Sequence, residues 1–126
     1  MQRLLPPFKL GLGGKLGNGE QYYSWVALFD ALNSIQHCLL SKNLEGPINV
    51  AAPENVTNLV FTNTLGHVLS RPTMFAVPAS ALRVIFGEVA DTMLASARLD
   101  SAKLVSSGFE FQFPDIKSAL KTTIHA

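Results

Sequence analysis

Residues 11–32 read GLGGKLGNGEQYYSWVALFDAL: a glycine-rich loop, an aromatic segment and the start of a helix. Gly11, Gly13, Gly14, Gly17 and Gly19 tolerate positive φ and close backbone approach, which lets the loop lie flat against a ligand or another backbone. Residues 21–28 read as extended, because Tyr22, Tyr23, Trp25 and Val26 suit a pleated surface, with Ser24 the polar exception. A loop that feeds a strand and then a helix is a common ligand position in an α/β fold. Two phosphate-loop readings fail on spacing. Counting G-x-G-x-x-G from Gly11 puts Leu16 where the third glycine belongs, and Gly14-Lys15 is followed by Leu16 where a Walker loop needs Ser or Thr.

Outward from this stretch, Leu32, Ile35, Cys38 and Leu39 recur at helical spacing and predict an amphipathic helix with Asp30 near its N-terminus, ended by Gly46-Pro47. Residues 48–51 read as a very short strand. Thr57 is placed to cap a helix carrying Phe61, Leu65, Val68 and Leu69, which must stop before Arg71-Pro72. Residues 73–77 read as another strand, and Pro78 opens a helix with Leu82, Ile85 and Phe86 inward, broken at Gly87 and resumed with Val89, Met93 and Leu94. Ser101 caps a short helix ended by Gly108. Phe109, Phe111 and Phe113 alternate with Glu110 and Gln112, which predicts a half-buried strand. Ile116, Ala119, Leu120 and Ile124 make a last helix. Residues 1–10 read as an apolar lead-in with Arg3 and Lys9 as its charges.

At 126 residues the chain reads as one domain, residues 1–126, of which 1–20 are lead-in and glycine-rich loop. It is 48% hydrophobic and 15% charged, against about a quarter charged in ordinary domains. Part of that apolar surface is expected to face a partner. A net charge of +1, with basic residues scattered singly, argues against nucleic acid. No apolar run approaches a membrane span, and Pro6 and Pro7 interrupt what would be a leader, so a cytoplasmic protein is expected. Cys38, the single cysteine, excludes an internal disulfide framework. Short strands separated by helices, with no upstream strands beside residues 48–51, predict the C-terminal piece of a larger α/β protein.

Four runs, LGLGGKLGNGEQYYSWVAL, NLEGPINVAAPENVTNLVFTNTLGHVLSRPT, VPASALRVIFGEVAD and KLVSSGFEFQFP, together resemble the C-terminal domain of the epimerase-like family of extended short-chain dehydrogenases/reductases. The specific marks are Gly-Asn-Gly before Gln21-x-x-Ser24-Trp25, the Ala52-Pro53-x-x-Val56-Thr57-Asn58 turn and Gly87-Glu88-x-Ala90-Asp91. The resemblance implies the substrate-side portion of a Rossmann-type fold, helix-rich with a few short strands. In a complete member it implies an N-terminal NAD(P)-binding half with a Tyr-x-x-x-Lys pair. Val26 and Ala27 stand four residues beyond the two tyrosines, so neither builds that pair here. Two departures stand out. Phe29-Asp30 replaces an acidic pair, and Ala97-Arg98-Leu99-Asp100-Ser101 keeps the arginine of the family's Gln-Arg-Val-x-Pro while losing the glutamine and proline.

The expected site is therefore a substrate crevice and not a catalytic or metal centre. Gln21 and Ser24 are placed to hydrogen-bond sugar hydroxyls, Trp25 to offer a flat wall and Arg98 to meet phosphates, although Trp25 also suits a core and Arg98 a carboxylate partner. His37, His67 and His125 read as surface histidines, Cys38 as a buried thiol, and Ser24, His67 and Asp30 lack the surroundings of a triad. The chain by itself is expected to hold no cofactor and to lack redox activity. Its function reads as the substrate-binding side of a sugar-nucleotide epimerase whose cofactor half is missing or supplied by another chain. The alternative is a non-catalytic interaction or dimerisation domain, the product of a truncated gene, which self-associates through the face left uncovered.

Overall fold

The two prolines that interrupt the lead-in start a helix. In the computed structural model, which describes residues 1–2 and 4–125, Pro6 and Pro7 stand in the first turn of α1 (Leu5–Lys9), where a missing N–H costs nothing. Arg3, one charge of the expected lead-in, lies outside the described residues, as does Ala126. There follow β1 (Tyr22–Tyr23), α2 (Leu28–Leu40), β2 (Val56–Thr57), α3 (Asn58–Leu69), α4 (Ala79–Phe86), α5 (Val89–Leu94), α6 (Ala102–Ser106) and α7 (Ile116–His125). The fold is helix-rich, with a two-stranded sheet. None of the described helices is long and apolar enough to cross a membrane.

The chain divides into two compact units. The first comprises Met1–Tyr23 and Val56–Ala97. Here β1 pairs antiparallel with β2, Tyr22 opposite Thr57 and Tyr23 opposite Val56, and Leu16 forms a parallel bridge with Val77. Phe8, Val56, Leu65, Leu82 and Ala90 are its buried apolar residues. Local chemistry sets the helix ends as expected. Thr57 Oγ1 accepts the Val60 N–H at 3.3 Å, and α3 stops at Leu69 with Ser70 left-handed, two residues before Pro72. Gly87, at φ 59°, separates α4 from α5.

The second unit comprises Ser24–Asn55 and Arg98–Ala126, built on α2, α6 and α7. Ala51, Ala52, Leu104, Phe109, Ile116, Ala119 and Leu120 are buried in it. Gly108, at φ 96°, stands in the turn that ends α6, as expected.

Of the four expected strands one shrinks to two residues and three do not form, for one reason: a strand needs a neighbour. Residues 21–28 pair only at Tyr22–Tyr23, after which Trp25 O accepts a single bond from Ala52 N at 2.7 Å. Residues 48–51 run without a ladder, and residues 73–77 contribute only the Val77 bridge. Phe109 is buried and Phe111 and Phe113 half-buried while Glu110 and Gln112 are exposed, so the alternation is real. Yet the N–H groups of Gln112 and Phe113 go to the Asp30 carboxylate and not to a strand.

The predicted apolar stripe of α2 is also turned over. Asp30 and Ser34 are its buried residues, whereas Leu32, Ile35 and Leu39 are exposed. Cys38 is only half-buried. His37 is half-buried as well and not a plain surface histidine. Its ring packs edge-on against Phe109, centroids 5.5 Å apart, and its Nε2 lies 2.8 Å from Ser107 Oγ.

Candidate functional site

Ser24 holds the middle of a small hydrogen-bonded network in the second unit. Its Oγ donates to Asn55 Oδ1 at 3.0 Å and accepts the Leu99 N–H at 2.8 Å, while Asn55 Nδ2 donates to Leu99 O at 3.1 Å. Both backbone polar groups of Leu99 are thereby held by side chains. Asn49 Nδ2 reaches Asp100 O at 3.4 Å, and Asp100 Oδ1 accepts the Ala102 N–H at 2.8 Å. The segment 98–100, irregular by its own sequence, is fastened at successive residues in front of α6.

Beside it opens a cleft of about 620 Å³ lined by Pro53, Asn55, Arg98, Leu99, Asp100, Ser101, Ala102 and Val105. A guanidinium and a carboxylate thus share the rim, with the Asn55 amide between two chain segments. Such a combination suits a polar ligand carrying both anionic and hydroxyl groups. Another cleft of the same unit, about 500 Å³, is lined by Ser41, Lys42, Asn43, Leu44, Lys103, Ser106 and Ser107. Its Lys103 ammonium already donates to the carbonyls of Glu45 and Pro47. Ser107 Oγ donates its one proton to Leu104 O, so His37 Nε2 must be the donor toward Ser107.

The four residues expected at the site fall in different places. Arg98 lines the 620 Å³ cleft, and Ser24 braces the residue after it. Trp25 lies in the same unit, but its indole Nε1 is buried without a hydrogen-bond partner and Trp25 is not among the cleft's lining residues. Gln21 belongs to the first unit, where it is buried and its Nε2 donates to Leu16 O at 3.2 Å. Residue type alone does not mark Asn55. The Ala-Pro-x-Asn turn that carries it was visible, but only folding shows that the amide faces Leu99.

The glycine-rich loop serves its own unit. A side chain at Gly13 would run into the Phe8 ring, and one at Gly14 into the Phe75 carbonyl. Gly17 N–H donates to Val77 O at 2.8 Å and Val77 N–H to Lys15 O at 2.9 Å. At Gly13 and Gly14 the space that a bare glycine leaves is thus filled by an aromatic ring and by protein backbone. Among the described residues no three His, Cys, Asp or Glu gather as metal ligands.

Along almost all its length the chain is similar to epimerase family proteins. One from Mycobacterium tuberculosis is 40% identical over 95% of this chain, and SDR39U1 of Mus musculus is 32% identical over 98%. The crystal structure of human SDR39U1 with NADPH matches with a TM-score of 0.91 and 31% identity, covering 97% of this chain and 42% of that one. The chain thus resembles the C-terminal part of epimerase family proteins. Residues 77–123 match the family described as Domain of unknown function (DUF1731). The chain spans about two fifths of the length of these relatives. The nucleoside-diphosphate sugar epimerase from Corynebacterium glutamicum also matches, with a TM-score of 0.64 and 29% identity over 93% of this chain and 22% of that one.

One phenol and one carboxyl group of the chain have their acidity shifted by their surroundings. Tyr23 is held above its ordinary pKa by burial, against which its bond from Asn58 acts. Its hydroxyl donates to Met93 O at 2.9 Å and accepts from Asn58 Nδ2 at 3.2 Å. Asp115 is held below the usual carboxylate range by the backbone N–H and hydroxyl of Ser118 at the start of α7. Both are structural placements.

Proposed function

We propose that this chain is the substrate-binding side of a nucleotide-sugar epimerase fold, working with an NADP(H)-binding portion of the kind its relatives possess. The observation that carries the reading is the Ser24–Asn55–Leu99 network, which fastens Arg98 and Asp100 at the mouth of the 620 Å³ cleft. Arg98 meets a diphosphate, and Asn55 and Asp100 meet sugar hydroxyls. Ser24 acts through Leu99, as a positioning residue. Trp25 and Gln21 support the two units from within. Support for the ligand class comes from the similarity to a protein named a nucleoside-diphosphate sugar epimerase, and for the cofactor of the complete fold from the human relative solved with NADPH.

The test uses a chimera in which this chain replaces the matching portion of human SDR39U1, titrated with a UDP-hexose by calorimetry. Arg98→Ala should weaken binding at least tenfold, which is about 1.4 kcal/mol, while Cys38→Ala leaves it within twofold. Equal, negligible effects of Arg98→Ala and Asn55→Ala would remove the cleft from consideration.

A further inference from the structure

α2 buries its polar side and shows water its apolar one. Leu28, Leu32, Ile35 and Leu39, spaced by four, three and four residues, form one seam and are 76, 60, 55 and 80% exposed. That is the spacing by which a helix packs along a second element. Asp30, the one Asp, Glu, Lys or Arg in α2, is turned inward. A seam without charge has no electrostatic partner to recognise, and a contiguous row of aliphatic side chains marks an interaction surface.

We propose that this seam is the docking face for the portion of the epimerase fold that lies outside this chain's span. The inference rests on reading the chain as one side of that fold. Its human relative has a closely similar backbone over 97% of this chain, and a further stretch, more than half of that protein, lies beyond the match. The counterpart of that stretch is the occupant against which the seam closes. A second copy of the chain is the weaker occupant, because a four-residue seam on a 13-residue helix is under two heptads long.

Thiol labelling tests it. In a Cys38→Ser background, Ile35→Cys is made in the full 126-residue chain and in the chimera with human SDR39U1, and alkylation by iodoacetamide is timed in both. The introduced thiol should react at least 100-fold more slowly in the chimera. A rate within twofold of the chain alone overturns the proposal, as does protection in the chain alone that grows with its concentration, which assigns the seam to a second copy. If the chimera does not assemble, the same thiol is timed in the chain mixed with an excess of the remaining portion of the human protein, and an unchanged rate there overturns it as well. Labelling does not read UDP-hexose binding. A protected seam with no sugar-nucleotide affinity would sink the proposed function and leave the docking face standing.

Discussion

The carboxylate of Asp30, at the start of α2, accepts the backbone N–H of Phe113 at 2.9 Å, and its other oxygen accepts that of Gln112 at 2.9 Å. Asp30 is 1% exposed. One side chain thus ties residues 82 and 83 positions away in sequence and takes the place of a strand partner for the Phe109–Phe113 alternation.

Asp30→Ala leaves two N–H groups without their acceptor in a buried place. It should lower stability by about 2–4 kcal/mol, since each unsatisfied buried group costs about 1–3 kcal/mol. Urea unfolding monitored by circular dichroism measures it. A loss under about 0.5 kcal/mol would mean that water or a shifted backbone replaces the clamp.

Ser24 and Asn55 hold Leu99 jointly, so their substitutions should not add. Each of Ser24→Ala and Asn55→Ala is expected to cost about 1 kcal/mol, and the double variant less than the sum. A double-mutant cycle reads the coupling. Strict additivity would mean that the two side chains act on separate parts of the structure.

Gly14→Ala and Gly87→Ala separate close approach from backbone conformation. At Gly14 the new methyl group meets the Phe75 carbonyl, which belongs to backbone and has no rotamer by which to escape. At Gly87 the space is empty but φ is 59°. Gly14→Ala should cost about 3 kcal/mol or abolish folding, and Gly87→Ala about 1–2 kcal/mol. Thermal melts in parallel decide the order, and the reverse order would contradict the packing of the glycine loop.

Tyr23 and Asp115 act at opposite ends of the pH scale. Tyr23 has a raised pKa from burial, so the native state binds its proton more tightly than the unfolded chain does. Stability should therefore fall as pH rises from about 10, the unfolded value, through the raised native one. Asp115 has a lowered pKa, and its contribution is present above the ordinary carboxylate range and lost as pH falls through the native value. Because Asp115 is exposed, the acid-side effect is small. Absorbance at alkaline pH follows the phenol, and Tyr23→Phe should remove the late-titrating component. A tyrosine spectrum that titrates wholly near pH 10 would contradict the buried placement.

The sequence by itself determined several helix ends and the family resemblance, although α2 stops at Leu40 and not at Gly46-Pro47. Thr57, Pro78, Gly87 and Gly108 act on bonds within a few residues of themselves, and such local chemistry can be read without knowing the fold. Residue type and neighbours mark Arg98 as a candidate, and folding places it along the 620 Å³ cleft. Only the tertiary structure decided that α2 turns Asp30 and Ser34 inward, that Phe109–Phe113 pairs with a carboxylate instead of a strand, and that Asn55 joins Ser24 at Leu99. An apolar stripe says that a helix face needs cover, but not which body supplies it. When the cover lies outside the chain, periodicity points away from the chain's own core. Hydrogen bonds across 31 and 75 positions, like those of Ser24, depend on where the backbone arrives and leave no local mark in the sequence.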